Sequence, residues 1–172
     1  ALSHGASAAA RCQPPLSRAA LTARLSDELS GLCTADVTVL ASLKEFNREY
    51  VIQEFIGEGA TARVLKIRQR KPSSASGQCE FFACKIIELT NDARAAQDPG
   101  GNDSRVNVAK AGRELSVLKS LEHPNLLKLH NVLTLGTRCF IITNLAAGGT
   151  LSQALEERGS LPEEDARGIM RA

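Results

Sequence analysis

An α+β domain is the fold class that the sequence predicts, and three observations carry it. Two strand-like runs, Tyr50–Phe55 and Arg63–Arg68, flank a turn of small residues, and a further apolar run from Glu80 to Ile87 follows about one hairpin later. Residues 106–121 place Val108, Leu115, Leu118 and Leu121 on roughly one helical stripe, with Ala111 and Gly112 between them. Near the C-terminal end, Thr150-Leu151-Ser152-Gln153 carries the capping-box pattern of a short helix that closes near Gly159. Ser160-Leu161-Pro162-Glu163 repeats that pattern and opens another helix, which runs to Ala172.

The turn is the most informative of these segments. Ile56-Gly57-Glu58-Gly59-Ala60-Thr61-Ala62-Arg63-Val64 joins strand to strand, and glycines there let the backbone approach phosphate oxygens where a side chain would collide. Gly57-x-Gly59-x-x-Ala62 also fits the dinucleotide fingerprint, which must run from strand into helix. Arg63-Val64-Leu65-Lys66-Ile67-Arg68 instead alternates apolar and basic residues, the period of a strand, and no acidic residue ends a following strand at the required distance. A flexible hairpin turn without a ligand is the plainer alternative.

Two charged residues sharpen the choice. Lys85 stands alone in the apolar run Phe81-Phe82-Ala83-Cys84-Lys85-Ile86-Ile87, where the plain reading is an edge-strand lysine facing water. Glu114 lies beside the helical stripe, in Arg113-Glu114-Leu115-Ser116-Val117-Leu118, where the plain reading is a solvated face. A lysine held inside a site needs an anionic partner to stay charged and oriented, and Glu114 is placed to supply one.

From about Tyr50 to Ala172 the chain resembles the N-terminal lobe, hinge and first C-lobe helices of the eukaryotic protein kinase family. Residues 57–64 resemble its phosphate-covering loop, Phe82–Lys85 its V-A-I-K strand motif, and Arg113–Leu118 the regulatory helix with the paired glutamate. His123-Pro124-Asn125-Leu126-Leu127-Lys128-Leu129 is similar to the family's helix-to-strand joint. Residues 139–151 are similar to its fifth strand, hinge and G-G-x-L helix start. Five motifs in the family's order are far more specific than any one of them.

The resemblance implies a kinase-like fold with a five-stranded antiparallel N-lobe sheet, a regulatory helix and the start of a helical C-lobe. The N-lobe would cover 49–142, the hinge 143–149 and the C-lobe start 150–172, behind a leader at 1–48. It also implies ATP and Mg²⁺ as cofactors and a protein as substrate. Lys85 would contact the α- and β-phosphates and pair with Glu114; the backbone of Gly57, Glu58, Gly59, Ala60, Thr61 and Ala62 would cover the phosphates. Ile56, Val64 and Ala83 would pack on the adenine faces, and Asn144 and Ala146 would take its edge hydrogen bonds through their backbones. Thr143 falls at the gatekeeper position, where so small a residue leaves the space behind it open. Leu118 and Leu129 match apolar positions that stack through both lobes, and His123 reads as a joint residue rather than a ligand or base. The hinge exit and the H-P-N joint point loosely to the calmodulin-dependent-like branch of serine/threonine kinases.

Several positions depart from the pattern. Ala62 replaces the third glycine, Cys84 replaces an aliphatic residue, and Asn144 and Thr150 stand where acidic residues are frequent. Thr90–Ser104, polar and containing Gly and Pro, lengthens the span from Lys85 to Glu114 and reads as a mobile loop; Lys71–Gln78 reads as a second one. Neither the H-R-D-x-x-x-x-N nor the D-F-G motif occurs in the 172 residues. The chain by itself is therefore expected to lack the catalytic base and metal ligands of phosphoryl transfer. A non-catalytic, pseudokinase-like binding module is the alternative reading.

Composition agrees with this. With 21 Lys and Arg against 19 Asp and Glu the net charge is +2, which gives no case for a nucleic-acid partner, and no apolar run reaches membrane-spanning length. Cys12, Cys33, Cys79, Cys84 and Cys139 form no metal-type pairs, and reduced thiols in an intracellular compartment such as the cytoplasm are the simplest account. Ala1–Pro15, rich in Ala and Ser, is expected to be unstructured. Residues 16–32 carry Leu21, Leu25, Leu29 and Leu32 as a stripe suited to an amphipathic, partner-docking helix. Arg11, Arg18 and Arg24 precede the first acidic residue, Asp27, which resembles an organelle transit segment, a reading not favoured over a disordered leader.

Overall fold

The structure, a computed structural model, describes residues 37–72, 79–90 and 106–171 together with Ala23 and Asp27. Apart from Ala23 and Asp27, the proposed amphipathic segment 16–32 lies outside the described residues, as does the greater part of both anticipated loops. The elements are β1 (Val37–Val39), α1 (Leu43–Glu49), β2 (Tyr50–Glu58), β3 (Ala62–Gln69), β4 (Phe81–Thr90), β5 (Val106–Asn107), α2 (Val108–Ser120), β6 (Leu129–Leu135), β7 (Arg138–Asn144), α3 (Leu151–Arg158) and α4 (Glu163–Arg171).

The sheet runs in the order β1-β6-β7-β4-β3-β2. The five strands from β2 to β6 are antiparallel neighbours, as expected. Two short strands add to this set: β1 pairs parallel with β6 at the sheet edge, and β5 pairs parallel with the end of β4. The β6 edge is thereby covered by chain that precedes residue 49, within the leader expected to be largely disordered. Parallel pairing is available because α1 carries the chain back from the end of β1 before β2 begins.

Strand alternation divides the apolar residues between two cores. On one face Ile87, Leu89, Val132, Cys139 and Ile141 pack under the α2 residues Val108, Ala111 and Leu115, which recur at helical spacing. On the other face Ile67, Phe82, Cys84, Leu133, Phe140 and Ile142 pack with Leu40, Tyr50 and the α1 residue Phe46. The Phe46 ring sits between Tyr50 and Phe140, at centroid distances of 5.4 and 5.3 Å. Arg70 ties the return of the chain to this helix, its Nε donating to the Asn47 carbonyl at 2.6 Å.

The boundaries shift where neighbouring pairing decides them. β4 continues to Thr90, which is buried, so the long insertion begins after Thr90 rather than at it. The helix starts at Val108 because Val106 and Asn107 are held as a strand. α3 opens with the expected capping box, Thr150 and Gln153 bonding each other's backbone N–H, and closes at Gly159 with φ 73°. α4 begins at Glu163 rather than immediately after Ser160. No helix among the described residues is long and apolar enough to cross a membrane.

Phe46 is 2% exposed and is the one buried residue of α1. Phe46→Ala is expected to lower unfolding stability by about 3 kcal/mol, through lost transfer energy and the cavity left behind. Denaturant titration checks this, and an unchanged midpoint would show that α1 does not brace the outer core.

Candidate functional site

One row of paired residues crosses the sheet and fixes the site. Gly57 pairs Val64, Val64 pairs Lys85, Lys85 pairs Ile141, and Ile141 pairs Val132. Directly paired residues share a face, and Ile141 and Val132 belong to the core beneath α2. Lys85 therefore stands on the α2 side, with Gly57 and Val64 beside it. One step along β4, Ala83 pairs both Lys66 and Thr143 on that same face. Two residues the other way, Ile87 pairs Ala62, which packs against the α2 core.

Lys85 Nζ meets Glu114 Oε1 at 2.5 Å. The pair is possible because Glu114 lies three residues after Ala111 and one before Leu115, both fully buried. The two side chains are 37% and 42% exposed, so screening limits the pair to at most about 1 kcal/mol of stability. Its consequence is orientation: it holds an ammonium group half in the open, on the face bordered by the glycine-rich hairpin.

The hairpin tip is Gly59-Ala60-Thr61, closed by Gly59 N–H donating to the Ala62 carbonyl at 2.8 Å and by Arg63 Nε to Glu58 Oε1 at 2.7 Å. Neither Gly57 nor Gly59 has positive φ. A Cβ added at Gly57 would meet nothing within 4 Å, and one at Gly59 only the Ala62 carbonyl oxygen at 4.0 Å. The fold itself thus has no need of glycine at either place, whereas close approach of a ligand to the backbone does. Ile56 lies at a bulge between the Phe55–Leu65 and Gly57–Val64 pairs and is 48% exposed.

The hinge follows β7. Thr143 is 8% exposed and its hydroxyl donates to the Asn144 carbonyl at 3.3 Å. The Asn144 N–H donates to the Lys128 carbonyl at 3.1 Å, which leaves the carbonyl as the Asn144 backbone group for an external donor. Ala146 is exposed beyond the strand. Leu118 and Leu129 both pack against the α2 core, and His123 Nδ1 accepts from Asn125 N–H at 3.2 Å, the behaviour of a joint residue.

The structure thus brings Gly57, Val64, Ala83, Lys85, Glu114 and Thr143 to one face of one sheet, while Ala146 stays apart at its end. Two hollows touch the margins of this set, one at Asn144 and the other at Glu58–Ala62. One of about 730 Å³ is lined by Leu118, Leu121, Leu126, Leu129 and their neighbours, beyond the C-terminal end of α2. Another, of about 480 Å³, lies between α1 and the hairpin tip, bordered by Phe46, Leu65, Ile86 and Phe140 on the opposite face of the sheet. Neither α3 nor α4 buries a residue. Among the described residues no group of three or more His, Cys, Asp or Glu is placed to hold a metal ion.

Residues 50–172 match the family described as the protein kinase domain. The chain belongs to the protein kinase family. CBL-interacting protein kinase 24 of Oryza sativa subsp. japonica is 40% identical over 112 residues, 63% of this chain and 25% of that protein. The serine/threonine-protein kinase RUNKEL of Arabidopsis thaliana is 31% identical over 121 residues, 70% of this chain and 7% of that protein. CBL-interacting serine/threonine-protein kinase 7 of Arabidopsis thaliana is 29% identical over 120 residues, 69% of this chain and 24% of that protein. The chain spans about a quarter or less of the length of these relatives, and the kinase fold expected from the sequence is the family's own.

Cys84 lies on the opposite face of the sheet from Lys85, Cys139 in the core beneath α2, and both are fully buried. Burial pushes both thiols up from 9.0 to about 12; at Cys139 the neighbouring Cys84 and Glu114 add to the rise and Lys85 opposes it. The folded state keeps protons that the unfolded chain releases, so stability is expected to fall as pH rises above about 9. Denaturant midpoints against pH check this, and Cys139→Ala should flatten the slope. At pH 8 a thiol reagent is expected to label Cys79, which is half-buried, ahead of Cys84 and Cys139.

Proposed function

We propose that this chain carries the ATP-binding part of a serine/threonine protein kinase, which transfers the γ-phosphoryl group of ATP to a protein hydroxyl. The observation that carries the reading is the Lys85–Glu114 ion pair, set in the same row as Gly57 and Val64 under a hairpin with open space at its glycines. Lys85 Nζ holds the α- and β-phosphates as a fixed positive charge, and Glu114 keeps that charge aimed. The backbone N–H groups of the hairpin cover the phosphates, Ile56, Val64 and Ala83 pack on adenine, and the backbones of Asn144 and Ala146 receive its edge. Phosphate charge would be neutralised by Mg²⁺ carried in with the nucleotide, since the described residues offer no cluster of ligands for it. The catalytic base and metal ligands of the reaction are groups that the 172 residues do not carry, so the chain alone is read as binding nucleotide without turning it over. A reducing intracellular compartment fits the free thiols of Cys79, Cys84 and Cys139.

Lys85→Met is expected to abolish the rise in melting temperature that Mg-ATP gives, while the melting temperature without nucleotide changes little, because the ion pair contributes little to stability. An undiminished rise would remove Lys85 from the phosphate site. Gly57→Ala is expected to leave stability unchanged or slightly higher, since a strand glycine costs about 0.5–1 kcal/mol relative to alanine. The same change should weaken Mg-ATP binding, and equal affinity would show that the phosphates do not approach this backbone.

A further inference from the structure

β6 is irregular beside the hinge. Leu129 pairs Thr143 and Asn131 pairs Ile142, so His130 is the extra residue of a β-bulge. A bulge breaks the two-residue alternation and re-aims the side chain it carries. Here the His130 Nε2 meets Asn144 Oδ1, and its ring stands edge-on to Phe82, with centroids 4.6 Å apart at 66°. Phe82 is itself the β4 cross-strand partner of Asn144. Three strands therefore converge on one residue, the first of the hinge after Thr143. Oδ1 can only accept, so the ring carries a proton on Nε2.

We propose that His130 is a positioning residue of the hinge: by donating from Nε2 to Asn144 Oδ1 it fixes the Asn144 peptide, and with it the direction of the carbonyl that receives the adenine edge. The proposal rests on the nucleotide-binding reading above. The Asn144 backbone has two other constraints, its N–H on the Lys128 carbonyl and the Thr143 hydroxyl at its own carbonyl. The first pins the Thr143–Asn144 peptide and leaves the next one, which carries the Asn144 carbonyl, free to turn about ψ. The second competes for the acceptor that adenine needs. Holding the side chain as well restricts the turn of that carbonyl toward the Thr143 contact. His130 and Asn144 are both exposed, so their bond is worth little to folding; its effect is on the geometry of one acceptor.

The test separates adenine recognition from phosphate recognition. Binding of Mg-ATP and of Mg-tripolyphosphate, which lacks adenine, is measured by calorimetry on the wild-type chain and on His130→Phe, which keeps a ring against Phe82 and loses the donor. ATP affinity is expected to fall about fivefold, the worth of one hydrogen bond, with tripolyphosphate affinity unchanged. His130→Gln, which keeps a donor, should retain ATP affinity. Asn144→Ala should reproduce the His130→Phe loss, and the double variant should lose no more than either single one. Where His130→Phe fails to fold, the Asn144→Ala comparison decides. Unchanged ATP affinity, or a parallel loss for both ligands, overturns the positioning role. Lys85→Met distinguishes the underlying reading: it should weaken both ligands, and if it weakens neither, the nucleotide site and the role of His130 fall together.

Discussion

The register of β4 between β3 and β7 is the constraint on which the rest of the structure depends. Its alternation sends Phe82 and Cys84 into the outer core and Ala83, Lys85 and Ile87 to the α2 face. A slip of one residue would exchange the two sets. Lys85 would then enter an apolar cluster without a partner, at a cost of several kcal/mol for the desolvated ammonium group. The Lys85–Glu114 attraction is too small to choose the register. Burial of Ile67, Phe82, Phe140, Ile87 and Ile141 on the two faces chooses it, at about 1.5–3 kcal/mol for each side chain. The ion pair is a consequence of the packing, which is why a weak interaction can be accurately placed.

The parts of the fold legible in the sequence are those whose signal is local and repeated. The two-residue period of β3, the lone lysine in β4 and the i, i+3, i+4 pattern of α2 each identify an element. Their order along the chain identifies what they build. Glu114 could be paired with Lys85 before any coordinates because a helix stripe fixes which neighbour of Leu115 faces the sheet. The capping box at Thr150 was legible for the same reason, since its chemistry lies within four residues.

What the sequence did not disclose depends on partners distant in the chain. β1 is three residues long and α1 seven, too short for a period to stand out. The β-branched run Val37-Thr38-Val39 was the available signal, and Phe46 was the one aromatic that could anchor a short helix. The bulge at His130 has no local signature at all, because it exists only in the mismatch between β6 and β7. The polar neighbours of Thr90 read as a loop, yet it is buried and pairs Asn107 of β5, a contact that only the tertiary fold supplies.

Along β4 the site is graded from one end of the sheet to the other. Ala83 beside Thr143 marks the hinge end, Lys85 beside Val64 the middle, and Ile87 beside Ala62 the hairpin end. Successive members of this series are two residues, or about 7 Å, apart. A nucleotide bound as proposed would lie along it, with adenine at the Ala83 end and the phosphates beyond Lys85. On the outer face the hairpin-end charges are already paired with each other, Arg63 with Glu58 and Arg138 with Glu88. The hollow of about 480 Å³ on that side therefore has shape without a free charge at its rim. The series on the α2 face is favoured because Glu114 orients Lys85 and leaves it half-open, and polar recognition depends on that placement more than on enclosed volume.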